Sequence, residues 1–190
     1  MTRHIAVFFV AIYVLAPTHG DAQRNERITL EGSLGAARSV TGIRFAGTMS
    51  LALDAVLSAR MPRTPGQAYV VAANVSGFYM MRGSDASCIL VTPESCPPPF
   101  ELGTRSVLLG LEGTSRIGES IRLMVGPTWF RQYGVDSVSG AGFQTRVDIG
   151  ADMAERLAFL MSGRWLYMPS FHSRALNCFA LGFGLRFRVM

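Results

Sequence analysis

Residues 179–190 read Phe179-Ala180-Leu181-Gly182-Phe183-Gly184-Leu185-Arg186-Phe187-Arg188-Val189-Met190. The odd positions carry Phe, Leu, Phe, Leu, Phe and Val, and the even positions up to Arg188 carry Ala, Gly, Gly, Arg and Arg. Successive side chains of a strand point to opposite faces, so this segment has one wholly apolar face and one small-or-charged face. A soluble protein would turn the apolar face to a core and the charged face to water. A membrane barrel turns the apolar face to lipid and the charged face to its lumen. The rest of the chain has to decide between the two.

The same alternation recurs upstream. Phe143, Thr145, Val147, Ile149, Ala151 and Met153 alternate with Gly142, Gln144, Arg146, Asp148, Gly150 and Asp152. Leu157, Phe159, Met161, Trp165 and Tyr167 are set against Ala158, Ser162 and Arg164, and Ile121, Leu123, Val125 and Trp129 against Arg122, Gly126 and Thr128. Val107, Leu109 and Leu111 oppose Ser106, Gly110 and Glu112, while Tyr69, Val71, Ala73, Val75 and Tyr79 oppose Ala68, Ala72, Asn74 and Ser76. Toward the N-terminus, Ile43, Phe45, Met49, Leu51 and Leu53 alternate with Gly42, Arg44, Thr48, Ser50 and Asp54. Ile28, Leu30 and Leu34 alternate with Thr29, Glu31, Ser33 and Gly35.

Eight strands are therefore predicted, separated by a link near 36–40, turns at 61–66, 113–118 and 154–156, and loops at 132–140 and 169–176. The longest interruption is Arg82 to Phe100, which holds Pro97-Pro98-Pro99 and cannot continue a sheet. Turns after the even-numbered strands and longer connections after most odd-numbered ones give the asymmetry of an outer-membrane barrel, with the chain entering from the periplasmic side.

Hydrophobic residues make up 49% of the 190 and charged residues 16%, yet no apolar run is long enough for a spanning helix. All basic side chains are arginine, and the net charge of +5 is scattered rather than clustered, so no nucleic-acid partner is expected. Arg3, the apolar Ile5 to Leu15, the breaker Pro17 and small residues at Gly20-Asp21-Ala22 read as a secretory signal over 1–22, leaving 23–190 as the barrel domain. Export permits disulfides. Cys88 and Cys96 fall in the long interruption and are expected to bridge, with two free thiols as the alternative. Cys178 is left over as a small packed hydrophobe.

Aromatic residues fall at strand ends: Tyr69 and Tyr79 on one strand, Trp129, Phe143, Trp165 and Tyr167 at outer ends, and Phe187 at an inner end. Ten residue steps at about 3.4 Å, tilted about 40°, span roughly 26 Å along a barrel axis, close to an apolar band of about 25 Å. These seven are expected to form membrane-interface girdles. The opposite face carries Glu31, Arg44, Asp54, Glu112, Arg122, Arg146, Asp148, Asp152, Arg164, Arg186 and Arg188, expected to form a paired network inside the lumen. A soluble periplasmic ligand-binding barrel would invert these faces.

The alternating strands and the terminal Gly184-Leu185-Arg186-Phe187-Arg188-Val189-Met190 resemble the small eight-stranded outer-membrane barrels, such as the transmembrane domain of outer-membrane protein A, over about 28–190. The resemblance implies an all-β, antiparallel, up-and-down transmembrane barrel in the bacterial outer membrane. It also implies contact with outer-membrane lipid and lipopolysaccharide, and a last strand read by the barrel-assembly machinery. That strand ends in Met190 where the family usually has an aromatic residue.

Such a barrel is just wide enough for side chains to fill its interior, so a wide pore is excluded. The expected role is structural, envelope-stabilising or surface-contacting, with loop 82–100 as the contact for an extracellular ligand, and with no catalysis and no cofactor. The alternative is a lipid-modifying enzyme of the lipid A deacylase type, for which His172-Ser173 invites comparison. That family separates His and Ser by one residue and follows its Ser with an acid, whereas here the two are adjacent and no Asp or Glu follows Glu155. His172 is the only histidine beyond the signal, so a histidine metal cluster is not available.

Overall fold

The computed structural model describes residues 28–41, 49–62, 69–82, 100–114, 119–133, 137–171 and 174–189. Eight antiparallel strands form a closed barrel in sequence order: β1 (Ile28–Thr41), β2 (Met49–Arg60), β3 (Val70–Arg82), β4 (Phe100–Thr114), β5 (Ser120–Tyr133), β6 (Ser139–Ala154), β7 (Leu157–Phe171) and β8 (Arg174–Val189). Closure comes from β8 pairing with β1, Ile28 opposite Val189 and Gly35 opposite Gly182. That seam leaves no open sheet edge. Glycines there have no room for a side chain: a Cβ at Gly35 would run into the carbonyl oxygen of Leu181, and one at Gly184 into that of Gly32. A tightly curved eight-stranded sheet needs such glycines on its concave side.

The in–out alternation sorts side chains to the two surfaces along every strand. Outward-facing Leu30, Leu34, Leu53, Leu57, Val75, Val107, Leu109, Phe179, Leu181, Phe183, Phe187 and Val189 are all exposed, while inward-facing Glu31, Arg122, Arg146, Asp148 and Arg186 are at most 2% exposed. A soluble ligand-binding barrel would show the reverse, so that alternative is excluded by the direction of the faces.

Several boundaries differ from the sequence reading. The link near 36–40 is part of β1, which continues to Thr41. Ala36, Ala37 and Ser39 interrupt the apolar alternation without interrupting the backbone ladder, because Ala36 and Ala37 still pair with Leu181 and Ala180. The second strand begins at Met49 and runs six residues past Asp54 to Arg60, with Leu57 outward and Val56 and Ser58 inward. Residues 42–48, including Arg44, lie outside the described residues.

The loop expected at 132–140 shrinks to 134–138. That expected at 169–176 shrinks to 172–173, because Pro169 sits at a register shift between Met168 and Phe171 while the pairing continues to Phe171 opposite Arg174. Proline is tolerated at such irregularities. The long-loop asymmetry thus reduces to the single connection 83–99. The rim bearing that connection is called the loop rim below, and the rim where Ile28 meets Val189 the terminal rim.

Candidate functional site: a filled lumen inside an apolar wall

Starting at the terminal rim, Arg188 Nη2 pairs with Asp152 Oδ1 and Nη1 donates to the carbonyl oxygen of Glu155 at 3.2 Å. One layer further in, Glu31 receives Arg186 Nε at 2.8 Å and Arg122 Nη1 at 2.6 Å on Oε1, with Arg146 Nη2 at 3.5 Å from Oε2. Glu112 takes Arg122 through Nε and Nη2 at 3.2 and 3.1 Å, and Arg60 through Nε and Nη2 at 3.0 and 2.5 Å. Ser58 Oγ accepts from Arg122 at 2.8 Å, and Ser120 Oγ from Arg186 at 3.0 Å. Arg146 then bridges to Asp148 at 2.6 Å and to Asp54. Arg164 Nη2 lies 2.6 Å from Asp54 Oδ1, at ion-pair distance but off the line of a hydrogen bond.

Six guanidinium groups (Arg60, Arg122, Arg146, Arg164, Arg186, Arg188) thus face five carboxylates (Glu31, Asp54, Glu112, Asp148, Asp152). Glu31 sits opposite Arg186 in the ladder, but its other two partners come from β5 and β6 across the lumen. A buried charge is stable only when paired and hydrogen-bonded, and fork-shaped guanidinium groups can each serve more than one carboxylate. The network therefore ties seven strands, all but β3, together through the middle of the barrel.

Two residues fall differently from the sequence expectation. Arg186 and Arg188, adjacent inward positions of the last strand, would both be expected beside Glu31 at the periplasmic end of the first, but Arg188 lies opposite Thr29, one pleat nearer the rim, and takes Asp152. Arg60 lies beyond the predicted second strand, whose alternation is traced only to Asp54, whereas β2 runs to Arg60. Continuing its inward period from Asp54 through Val56 and Ser58 reaches Arg60, so the signal was present.

Above the ions, the lumen changes character. The Ser106 hydroxyl donates to Gln144 Oε1 at 2.8 Å and lies 2.7 Å from the Thr128 hydroxyl, a polar layer across β4, β5 and β6. Toward the loop rim, Ala37, Ala52, Phe78, Met80, Leu102, Phe130, Leu166, Met168, Phe171, Leu176, Cys178 and Ala180 form one buried apolar cluster with Val138 packed against it. The Phe130 and Phe171 rings lie 5.7 Å apart, and Cys178 Sγ is 3.7 Å from Met80 Sδ. Arg164 marks the boundary, its guanidinium 4.5 Å from the Phe78 ring centre. The sequence reading did not foresee this plug, because its residues lie where both faces of a strand are apolar.

Outside, aromatic residues ring the loop rim. Trp129 and Phe143 are exposed, Tyr79, Trp165 and Tyr167 half-exposed, and Trp165 stacks on Tyr167 at 6.1 Å. Tyr133 belongs to the same ring, 6.4 Å from Tyr79, and was not singled out from sequence. Tyr69 and Phe187 lie toward the terminal rim, both exposed. Cys88, Cys96, His172 and Ser173 lie outside the described residues. Among the described residues, no group of His, Cys, Asp and Glu is arranged to hold a metal ion.

No protein-family model matches the chain. None of the curated proteins matches it at a significant level. Solved structures do. Neisserial surface protein A is similar with a TM-score of 0.58 at 9% identity, over 89% of this chain and 100% of that one. The attachment invasion locus protein of Yersinia pestis, solved in complex with the heparin analogue sucrose octasulfate, gives 0.52 at 11% identity, over 86% and 100%. The outer membrane protein OprG from Pseudomonas aeruginosa gives 0.52 at 9%, over 88% and 99%. At these identities the likeness is one of fold: the chain is an eight-stranded barrel of the outer-membrane type.

Proposed function

We propose that the protein is a non-enzymatic outer-membrane barrel, a rigid bilayer-embedded body that stabilises the envelope and presents its long loop for contact at the cell surface. The observation that carries this reading is the pairing of an apolar outer wall with a lumen filled by ion pairs at one end and apolar side chains at the other. Exposed apolar surface on this scale is not tolerated by a soluble monomer but is what lipid requires. A filled lumen provides no reaction chamber and no wide pore.

In this reading residues 1–22 are removed on export, 23–190 form the mature barrel, and β8 is read by the barrel-assembly machinery. The terminal rim faces the periplasm and the loop rim the exterior. Lipid and lipopolysaccharide surround the wall, and the surface contact is made by loop 82–100, braced by a Cys88–Cys96 disulfide that limits the entropy lost when the loop engages a ligand.

The test is fractionation of cells expressing the full chain. The mature protein is expected in the outer membrane, released only by detergent, and migrating differently on gels before and after boiling. Recovery in the soluble periplasmic fraction would overturn the reading. Loss of an acyl chain from host lipid A with wild type, but not with His172→Ala or Ser173→Ala, would favour the enzyme instead.

A further inference from the structure

The outer wall is indented along β1 to β5. Gly32, Ala55 and Gly77 are successive register partners on β1, β2 and β3, and Gly77 leads on to Arg105 and Trp129 on β4 and β5. Together with the next outward row, which ends at Arg131, they line a groove of about 740 Å³. Its lining takes in the outward-facing Tyr79, Trp129 and Tyr133; the inward residues between them, such as Asp54, Phe78 and Phe130, also border it, but no residue of β6, β7 or β8 does, so the groove lies on one wall and opens to the outside of the barrel rather than across the lumen. A register row runs perpendicular to strands that tilt about 40°. The groove therefore slants from Gly32, four residues above the terminal end of β1, up to Tyr133 at the loop rim.

Two exposed arginines, Arg105 and Arg131, stand at its upper end on a largely apolar wall, with the exposed Glu101 nearby. Neither pairs with a carboxylate among the described residues; Arg131 lies over the Tyr133 ring at 5.4 Å. Glu101, the acidic group nearest them in register, accepts the Tyr79 hydroxyl at 2.7 Å. Arg105 is opposite Trp129 and Arg131 opposite Gly103, which makes the two arginines diagonal cross-strand neighbours, about 7–8 Å apart at Cα. That spacing lets two guanidinium groups close on one phosphate. Arginine on a lipid-facing surface is costly in the apolar band and tolerated at the headgroup level, where a phosphate can meet it.

We propose that this groove binds one molecule of phosphorylated lipid A from the outer leaflet. Arg105 and Arg131 hold a phosphate within the aromatic girdle, and one acyl chain lies down the groove across Gly77 and Ala55 toward Gly32. The inference rests on the outer-membrane reading, since it takes the loop rim to be the outer-leaflet side. Gly77 offers a clean way to fill the trough, because a Cβ there meets nothing within 4 Å. Gly163 on β7 is a matched outward control on the far wall, where a Cβ meets only the Leu181 side chain at 3.7 Å.

The experiment places the mature barrel in phosphatidylcholine nanodiscs and titrates three probes: bisphosphorylated lipid A, the same lipid A with its phosphates removed, and phosphatidylglycerol. Native mass spectrometry reads occupancy, and the heat-dependent gel shift reports on folding in the same samples. Wild type and Gly163→Leu are expected to bind one bisphosphorylated lipid A, with the other two probes held at least about tenfold more weakly. Arg105→Gln with Arg131→Gln should weaken binding about tenfold to a hundredfold, as loss of two charge-assisted contacts implies. Gly77→Leu should weaken it while leaving the gel shift intact.

Dephosphorylated lipid A binding as well as the phosphorylated form, or both variants matching wild type, would overturn the groove while leaving the membrane reading intact. A wild-type barrel that fails to enter bilayers at all would overturn both.

Discussion

The two ends of the lumen solve one packing problem in opposite ways. Near the terminal rim, Glu31 and Glu112 collect Arg60, Arg122 and Arg186 in a buried network. Near the loop rim, Phe78, Met80, Leu102, Phe130, Phe171 and Leu176 fill the same cross-section with apolar contacts. Each guanidinium of the ionic end has fixed donors, so it accepts only particular partners at particular levels, and Glu31 reaches β5, β6 and β8 at once. The apolar end is undirected; its contacts depend on volume alone. The ionic end is thus suited to fixing which strands meet in which register, while the apolar end contributes stability and seals the lumen below the long loop. Buried ion pairs are weak sources of net stability but strong penalties when one partner is removed.

The largest expected effect is at the ionic end. Glu31→Ala leaves Arg186 and Arg122 short of a carboxylate in a site where all three side chains are at most 1% exposed, and should cost about 3–5 kcal/mol in urea unfolding from liposomes. Removing the arginine as well should recover part of that loss: the Glu31→Ala, Arg186→Ala double variant is expected to show a coupling of about 1–3 kcal/mol in a double-mutant cycle. Additive losses would mean that the pair is not the unit the geometry indicates.

At the apolar end, Leu102→Ala should cost about 2–4 kcal/mol, within the range for a buried leucine, with no coupling to Glu31→Ala because the two sites share no partner. Coupling between them would erase the distinction between the two ends. The smallest effect belongs to Glu101→Ala on the outer wall. Its hydrogen bond with Tyr79 is solvent-exposed, so a change within about 0.5 kcal/mol is expected, measured on the same unfolding curves. A Glu101 effect equal to that of Glu31 would contradict the assignment of inside and outside.

The sequence was most legible where chemistry differed sharply between the two faces. β6 and most of β8 alternate charged or small with apolar residues, and their two faces could be read directly. Legibility failed wherever that contrast vanished. Ala36 and Ala37 are small on both faces, and the stretch around Phe78, Tyr79, Met80 and Met81 is large and apolar on both, so neither the extent of β1 nor the apolar plug stood out. Pro169 read as a break because its neighbours' continued pairing depends on a bulge that no local pattern announces.

The partners within the ionic network were harder still. Glu31 and Arg122 are 91 positions apart and meet only because closure brings opposite walls together; the sequence supplied the two charges but not the pairing. The groove was invisible for a similar reason, since Gly32, Ala55 and Gly77 adjoin only through register.

The orientation of the wall underlies all of this, and the two native tryptophans report on it without any substitution. Trp129 is 54% exposed and Trp165 half-exposed, both pointing out of the barrel near the loop rim. The decisive measurement is tryptophan fluorescence of the mature barrel in bilayers whose acyl chains carry bromine at defined depths, set against quenching by acrylamide in the water phase. Strong quenching by bromines near the headgroups, with acrylamide weak, is the expected result. Efficient quenching by acrylamide with none from any brominated lipid would contradict it, and would place the apolar face of the barrel away from lipid.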